Sequence, residues 1–516
     1  MTMKRAASFL TFGLLAALGT FLILYATPQG LGLSDDSIAY IAGARSLLSG
    51  LGYREAWLAS NGPVTHFPPG FSSVLALVGL SGLDPVRGAR LVNSLLFGAN
   101  TFLLGLIGWR MTKAYLGGLI LAILFVVNAS LLRVHAVAMS EPLYIFLTLA
   151  SFLCFDNYFA GRGQRWLVFA GSFVGMAYLT RYAGLALLVT FVVAIILLRD
   201  TWSWRITRSL VFIASAAPWI AAWSIRNKLV ADNATNRTLV YHPLTAENIQ
   251  MGIYNFSEFL VPVEMWRRAL VKVPNFFAVS LAVIALTILV WVLSKGLKKF
   301  RRPSSAMPEI LSFTNGLYIF GYLASIVSSM MLFDASTKFK VRINAPIYIS
   351  LLILLVWLGF WLWQRRSVIW KLLTMGLVVF IIGLSALETY GVVTQLHKGG
   401  QGYASFQWYD SEAMDFLGKL PEGTRIYTNQ PGPVYLYTDR PSYVLPDLVD
   451  PVTGLPREGY EEGVAALHED VLSGEAVLAL FKFGSESEDV QTVYLQLADG
   501  LFLAHDSHGD KIYTSP

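Results

Sequence analysis

The stretch WLVFAGSFVGMAYLTRYAGLALLVTFVVAIILL, residues 166–198, holds one charge, Arg181, in 33 residues. A membrane-spanning helix takes about 20 mainly apolar residues, fewer in a bundle or where the bilayer thins. The stretch is therefore too long for one crossing and lean for two. Its flanks decide the matter. Arg162 and Arg165 precede it, and Arg199, Arg205 and Arg208 follow it. Short loops rich in Lys and Arg stay cytoplasmic, so both flanks share a side and the crossings between them are even in number. The stretch reads as two short helices broken at Arg181.

Worked outward, the same criteria give eleven spans, near 6–26, 87–109, 115–131, 139–158, 166–180, 183–198, 209–225, 275–294, 310–332, 343–363 and 371–391. Lys4 and Arg5 lie before the first span, Arg110 and Lys113 in a later loop. Lys295, Lys298, Lys299, Arg301 and Arg302, and then Arg365, Arg366 and Lys371, continue the series. With eleven spans all these clusters fall on one side, which is then cytoplasmic. The apolar segment 71–83 is short for a crossing and reads as an interfacial or re-entrant helix. The first span is read as retained, since its apolar run is long for a secretory signal.

Composition agrees. The 516 residues are 55% hydrophobic and 14% charged, against roughly 25% charged in soluble domains. The net charge of +6 conceals an asymmetry: residues 1–396 carry 14 acids and 32 bases, residues 397–516 carry 19 acids and 7 bases. A basic membrane region, 1–396, with outer loops at 27–86 and 227–274, is thus followed by an acidic soluble domain, 397–516. On this topology the tail is extracytoplasmic, in a cell inner (plasma) membrane protein. The tail reads as a small α/β domain, with helices at 410–420 and 458–472, β-type runs at 425–428, 476–483 and 493–497, and a turn-rich middle around Pro431, Pro433, Pro441 and Pro446. Cys154 is the only cysteine, so an internal disulfide and a thiolate metal cluster are both excluded.

The ionisable groups gather at the predicted outer face. Leu33, Ser34, Asp35 and Asp36 open the first outer loop, and the spacing of Ile38, Ile41, Ala42, Arg45, Leu48 and Leu51 predicts a helix along the membrane surface. Ser34 or Asp35 is a natural cap for that helix, and a carboxylate there also stands where a lipid-borne substrate presents its head group. Residues 65–71, THFPPGF, form a stiff turn in which His66 either binds acceptor or phosphate or simply belongs to the turn. Glu141 starts a span after Ser140; an acid at that depth has a partner or a task, and Arg133 and His135 in the same short loop are the structural alternative. Arg181, Arg226, Lys338, Lys340 and Arg342 are cations at outer helix ends, placed to snorkel or, as a set, to bind a lipid phosphate. No Gly-rich phosphate loop is present.

These motifs and their order resemble the GT-C superfamily of membrane glycosyltransferases, especially family 39-like relatives of protein O-mannosyltransferases and aminoarabinose transferases. The resemblance covers roughly 1–396 and rests on Asp35 and Asp36, the His66 to Gly70 turn, Ser140 to Pro142, Leu179 to Gly184, Arg226 with Asn227, and the segment from Asp334 to Pro346. It implies an α-helical polytopic GT-C-like fold and an inverting glycosyltransferase that moves a hexose or pentose from a polyprenyl-phosphate carrier to an acceptor hydroxyl at the outer face. Asp35 is then the catalytic base, with Asp36, His66 and Glu141 in support. Arg181, Arg226, Lys340 and Arg342 bind the carrier phosphate. The acceptor, whether lipid, glycan or protein, is left open, as is the choice between Asp35 and Asp36. The expected partners are the lipid-linked sugar, the acceptor and the bilayer, with no nucleic acid and no cofactor; no metal is predicted, but Asp35, Asp36, Glu141 and His66 could make an oxygen-rich site, and metal dependence is left open. A lipid-sugar transporter or flippase and a non-catalytic envelope assembly protein are the rival readings. Transporters place their charges near the midplane on repeated, broken helices, whereas here the charges are interfacial and no repeat is present.

Overall fold

A computed structural model describes residues 3–198, 201–231, 239–272, 287, 289–291, 293–294, 297, 310–334, 337–364, 367–450 and 454–516. The chain is an α-helical polytopic membrane protein with a small C-terminal α/β domain. Its helices begin with α1 (Met3–Ala26), α2 (Asp35–Leu48), α3 (Gly70–Gly79), α4 (Pro85–Thr112), α5 (Tyr115–Val126) and α6 (Ala129–His135). There follow α7 (Glu141–Phe159), α8 (Arg165–Thr180), α9 (Gly184–Leu198), α10 (Trp202–Ala231), α11 (Ala246–Leu260), α12 (Glu264–Lys272), α13 (Leu311–Leu332), α14 (Val341–Trp363) and α15 (Val368–Gly399).

Among the described residues seven helices are long and apolar enough to cross a membrane, and α5 with α6, bent by 67°, counts as an eighth. The 166–198 stretch is two helices, α8 and α9, with Arg181 extended at φ −152° directly after α8. Each is shorter than a full span. The span expected at 275–294 lies largely outside the described residues, as do Arg365 and Arg366. The short helix expected from 71–83 is α3.

Two compact units divide the chain: Met1–Pro28, Pro68–Phe71 and Arg90–Lys398 form one, while Gln29–Phe67, Ser72–Ala89 and Gly399–Pro516 form the other. In the membrane unit α8 packs between α7 and α10. Its Gly171 and Gly175 stand four residues apart on one face, and a Cβ there would meet the Phe212 and Ala216 carbonyl oxygens at 2.6 and 2.8 Å. Without side chains at those positions the two backbones come close together, which is how helices associate in lipid.

The second unit is built on a five-stranded sheet of order β2-β1-β3-β5-β4, comprising β1 (Arg425–Thr428), β2 (Tyr443–Val444), β3 (Ala476–Leu480), β4 (Phe502–Ser507) and β5 (Asp510–Thr514). β1 runs parallel to β2 and β3, and β5 runs antiparallel to β3 and β4. His508 at φ 52° and Gly509 at φ 87° close the β4–β5 hairpin, as a two-residue turn with both central φ positive requires. Helices cover both faces, so β3 is buried throughout and lacks polar alternation. Ile426, Val477 and Ala479 pack with Trp408 and Leu417 on one side, while Tyr427, Leu478 and Leu480 pack with Leu467 and Leu497 on the other.

The tail's helices are α16 (Phe406–Tyr409), α17 (Glu412–Gly418), α18 (Pro431–Thr438), α19 (Tyr460–Leu472) and α20 (Glu488–Leu497). Residues 493–497, read from their β-branched and aromatic content as a strand, end α20 instead. Its inward residues Val490, Val493, Tyr494 and Leu497 recur at helical spacing, and Glu488 and Asp489 occupy its first turn, where acids favour a helix. The proline-rich middle holds α18, because Pro431 and Pro433 fall in the first turn where no N–H is needed.

Candidate active site

In the membrane unit, Glu141 is the first residue of α7 and its side chain is 1% exposed. Its Oε1 lies 2.7 Å from Arg181 Nη1 and 3.8 Å from Arg342 Nη1. Arg181 Nη1 also donates to Ser140 Oγ at 3.3 Å, and Arg342 lies 3.3 Å from Met139 Sδ. A buried carboxylate is thereby held between two guanidiniums from two different elements, the α8–α9 break and the first turn of α14. The Glu141 Oε2 makes no hydrogen bond among the described residues.

The local sequence explains the placement. Arg181 ends α8, and the chain re-enters a helix at Gly184, whose missing Cβ would otherwise stand 2.4 Å from Tyr178 N. Tyr144, one turn after Glu141, donates to the Ala183 carbonyl at 3.2 Å and lies 2.8 Å from the Tyr318 hydroxyl. The Tyr322 ring packs at a tilt beside both, at centroid distances of 6.2 and 5.4 Å. A buried tyrosine group thus supports the break that aims Arg181.

The alternative partners of Glu141 are engaged elsewhere. Arg133 donates to Gln395 at 2.9 Å, and His135 is buried among Phe97 and Phe125 with its ring bonded to Asn100 and Leu131. Arg226 donates to Asn227 Oδ1 at 2.9 Å over the Trp223 ring, and Trp223 in turn donates to the Tyr182 hydroxyl at 3.0 Å. This places Arg226 one aromatic contact from the residue after Arg181. Lys340 precedes α14 as its cap residue and is exposed.

In the second unit, α2 is the helix expected after Ser34, but it is not a surface helix: nine of its 14 residues, from Ser37 to Ser46, are buried. Protein covers it. Ser72 Oγ donates to the Tyr40 carbonyl at 2.9 Å, and the missing Cβ of Gly43 leaves room for the Tyr53 ring. Ser34 is the cap residue, its N–H donating to Ser37 Oγ at 3.1 Å, which leaves the Asp35 carboxylate for other work. Asp35 is exposed and accepts a 2.6 Å hydrogen bond from the Tyr403 hydroxyl. Tyr403 Oη also lies 2.9 Å from Gln430 Oε1. Burial and then the neighbouring Asp35 charge push the Tyr403 hydroxyl far above its ordinary range, so it remains a donor. Asp36 is half-buried beside Asp35, and His66 packs edge-on against Phe67 at 4.9 Å.

The structure therefore brings Glu141, Arg181 and Arg342 together in one unit, and Asp35 and Asp36 with Tyr403 in the other. Sequence reasoning missed Tyr403 and Gln430, which only a long-range contact reveals. Tyr144 carries a readable signal, standing three residues after Glu141 on the same helix face. No cluster of three or more His, Cys, Asp or Glu side chains suited to a metal occurs among the described residues.

The fold is that of the GT-C membrane glycosyltransferases. Similar solved structures include ArnT from Cupriavidus metallidurans in the apo state, 15% identical over 99% of this chain and 98% of that one, with a TM-score of 0.51. The archaeal oligosaccharyltransferase AglB from Archaeoglobus fulgidus, in complex with an inhibitory peptide and a dolichol-phosphate, is 10% identical over 100% of this chain and 75% of that one, at 0.56. The arabinofuranosyltransferase AftD from Mycobacteria is 16% identical over 98% of this chain and 39% of that one, at 0.54. No protein-family model and no curated protein matches the sequence.

Proposed function

We propose that the chain transfers a sugar from a polyprenyl-phosphate carrier to an acceptor hydroxyl, with inversion, at the extracytoplasmic face. The observation that carries this reading is the buried Glu141 carboxylate shared by Arg181 and Arg342, within a fold that ArnT and AglB also have. ArnT has been solved bound to undecaprenyl phosphate, at 15% identity and a TM-score of 0.50, and the AglB structure holds a dolichol-phosphate.

In the proposed reaction the acceptor oxygen attacks the anomeric carbon while Asp35 takes its proton, and the bond from that carbon to the phosphate oxygen breaks. A positioned base contributes about 10²–10⁴ in rate. The departing phosphate gains negative charge, which Arg181 and Arg342 are assigned to stabilise; preorganised cations of this kind act without reorganising at the moment of reaction. Glu141 is assigned the role of holding both guanidiniums rather than accepting a proton. Arg226 and Lys340 are assigned outer positions on the same phosphate, Asp36 supports Asp35, and His66 is assigned to the acceptor.

Native mass spectrometry of the purified chain tests the carrier assignment. Wild type is expected to retain a polyprenyl phosphate, and the Arg181→Gln, Arg342→Gln double variant to lose it. Equal retention by both proteins overturns the assignment.

A further inference from the structure

The second unit contains an open cavity that the reaction above does not use. Leu33, Arg45, Asp84, Arg87, Tyr409 and Tyr437 contribute to its lining, and its volume is about 750 Å³, within the roughly 300–1,000 Å³ of small-molecule sites. Its walls come from all three chain segments of the unit, from Gln29 to Arg45, from Gly82 to Arg87, and from Ala404 to Tyr437.

Its polar wall is fixed in place. Arg45 Nη2 lies 3.0 Å from Asp84 Oδ2, its Nη1 lies 3.5 Å from Asp439 Oδ1, and its guanidinium stands 5.6 Å from the Tyr435 ring centroid. Asp84 Oδ1 accepts from the Val86 N–H at 2.9 Å. Two carboxylates therefore already answer the Arg45 charge, and an anionic ligand would have to displace one of them or bind through Arg87. Arg45 reaches Asp84 Oδ2 through both Nε and Nη2, at 3.1 and 3.0 Å, and the further lone pairs of the carboxylates, with the N–H groups of the guanidinium, are suited to adjacent hydroxyl groups. Tyr409, at 49% exposure, adds a half-open ring. Aromatic rings offer a large apolar face at low entropy cost, and the C–H face of a pyranose is its natural complement.

The cavity wall also lies close along the chain to the proposed base. Leu33 stands two residues before Asp35, and Ala404, also in the lining, follows Tyr403. The Leu33 N–H donates to the Gln401 carbonyl at 3.3 Å, and the Tyr403 N–H donates to the Leu33 carbonyl at 2.9 Å. The Tyr437 hydroxyl donates to the Tyr403 carbonyl. The wall of the cavity and the Asp35–Tyr403 pair are thus made from the same two bonded backbone segments.

We infer that this cavity is a saccharide subsite for the acceptor, so that the acceptor is a glycan rather than a peptide; the word acceptor rests on the glycosyl-transfer reading, while the ligand class rests on the cavity alone. The test uses the full chain in lipid nanodiscs on an immobilised array of neutral and anionic oligosaccharides and short peptides, with undecaprenyl phosphate binding measured separately on the same wild-type sample. Wild type is expected to retain neutral oligosaccharides, and Tyr409→Ala and Asp84→Asn to bind them about tenfold more weakly, a change of about 1.4 kcal/mol, at wild-type unfolding temperature. Tyr409 is half-exposed and Asn keeps the shape of Asp, so neither change opens a core. Absence of saccharide binding by wild type, undiminished binding by both variants, or retention of peptides in place of saccharides overturns the inference. Loss of undecaprenyl phosphate binding with saccharide binding intact overturns the glycosyl-transfer reading instead.

Discussion

Replacing Glu141 by Gln removes a carboxylate that Arg181 and Arg342 share and keeps its volume. Breaking a fully buried ion pair from one side costs about 3–5 kcal/mol, and an exposed pair is worth about 1 kcal/mol or less. The carboxylate here is 1% exposed and the Arg181 side chain 21% exposed, so the value falls between, at about 2–3 kcal/mol. The Arg342 contact, at 3.8 Å against 2.7 Å, keeps about seven-tenths of the Coulomb attraction by distance alone. The assay is unfolding in detergent followed by tryptophan fluorescence, for wild type, Glu141→Gln, Arg181→Gln and the double variant. A coupling energy of about 1–3 kcal/mol is expected for a direct pair. If the phosphate site is the same cluster, added undecaprenyl phosphate supplies the missing negative charge, and at about 100 times its dissociation constant it restores about 2.7 kcal/mol. Lipid is then expected to stabilise Glu141→Gln more than wild type, and to leave Arg181→Gln unaffected. A coupling below about 0.5 kcal/mol, the usual scatter for independent sites, or lipid stabilisation that is weaker in Glu141→Gln than in wild type, refutes the reasoning.

Three further outcomes follow. Tyr403→Phe deletes the 2.6 Å donor to Asp35 and is expected to lower kcat about fivefold, the equivalent of about 1 kcal/mol for a solvent-accessible hydrogen bond, with carrier binding unchanged; a wild-type kcat would remove Tyr403 from the site. Gly70→Ala places a Cβ 2.7 Å from the Leu179 carbonyl oxygen and 2.9 Å from Thr180 Oγ1, directly before Arg181, and is expected to cost about 1–3 kcal/mol and to weaken polyprenyl phosphate binding, whereas wild-type values for both would show that the helix end yields freely. Asp470 is held below the usual carboxylate range by the Tyr427 hydroxyl and then by Arg425, so its contribution is complete above its unfolded value of about 3.9 and is lost as pH falls through its lower folded value. Tyr427→Phe is expected to cost about 0.5–1 kcal/mol at pH 7 by urea unfolding, with the gap to wild type closing below about pH 4; a gap that persists in acid would mean the loss is packing rather than charge.

The parts of the fold legible in the sequence are those fixed by local chemistry. Arg181 interrupts an apolar run, and the structure breaks the helix there; Ser34 precedes a helical repeat, and α2 begins after it. The parts that stayed hidden depend on contacts remote in sequence. Nothing near Asp35 announces that Tyr403, more than 300 residues later, will donate to it. Residues 29–67 join the tail through backbone bonds such as Ser442 N–H to the Trp57 carbonyl and Ala59 N–H to the Ser442 carbonyl, at 3.2 and 3.0 Å, which any side chains would permit. The error at 493–497 has a different origin. Val493 and Tyr494 carry strand-forming side chains, but burial at 490, 493, 494 and 497 selects the helix, and tertiary packing outweighs a preference worth at most about 1 kcal/mol.

Two acids singled out by residue type alone end in opposite surroundings, and that contrast separates their proposed roles. Glu141 is enclosed, with two guanidiniums facing one oxygen, and its proposed role is that of a counter-charge. Asp35 is exposed, has a hydroxyl rather than a cation against it, and keeps a carboxylate oxygen in reach of solvent. An incoming hydroxyl proton can be accepted there without breaking an ion pair. The same logic weighs against Glu141 as a base even though it is the more deeply buried acid: burial raises the cost of a lone charge, but here the charge is not alone. Guanidiniums stand 2.7 and 3.8 Å from it, and under the proposed function a lipid phosphate is a further anion for the same two cations.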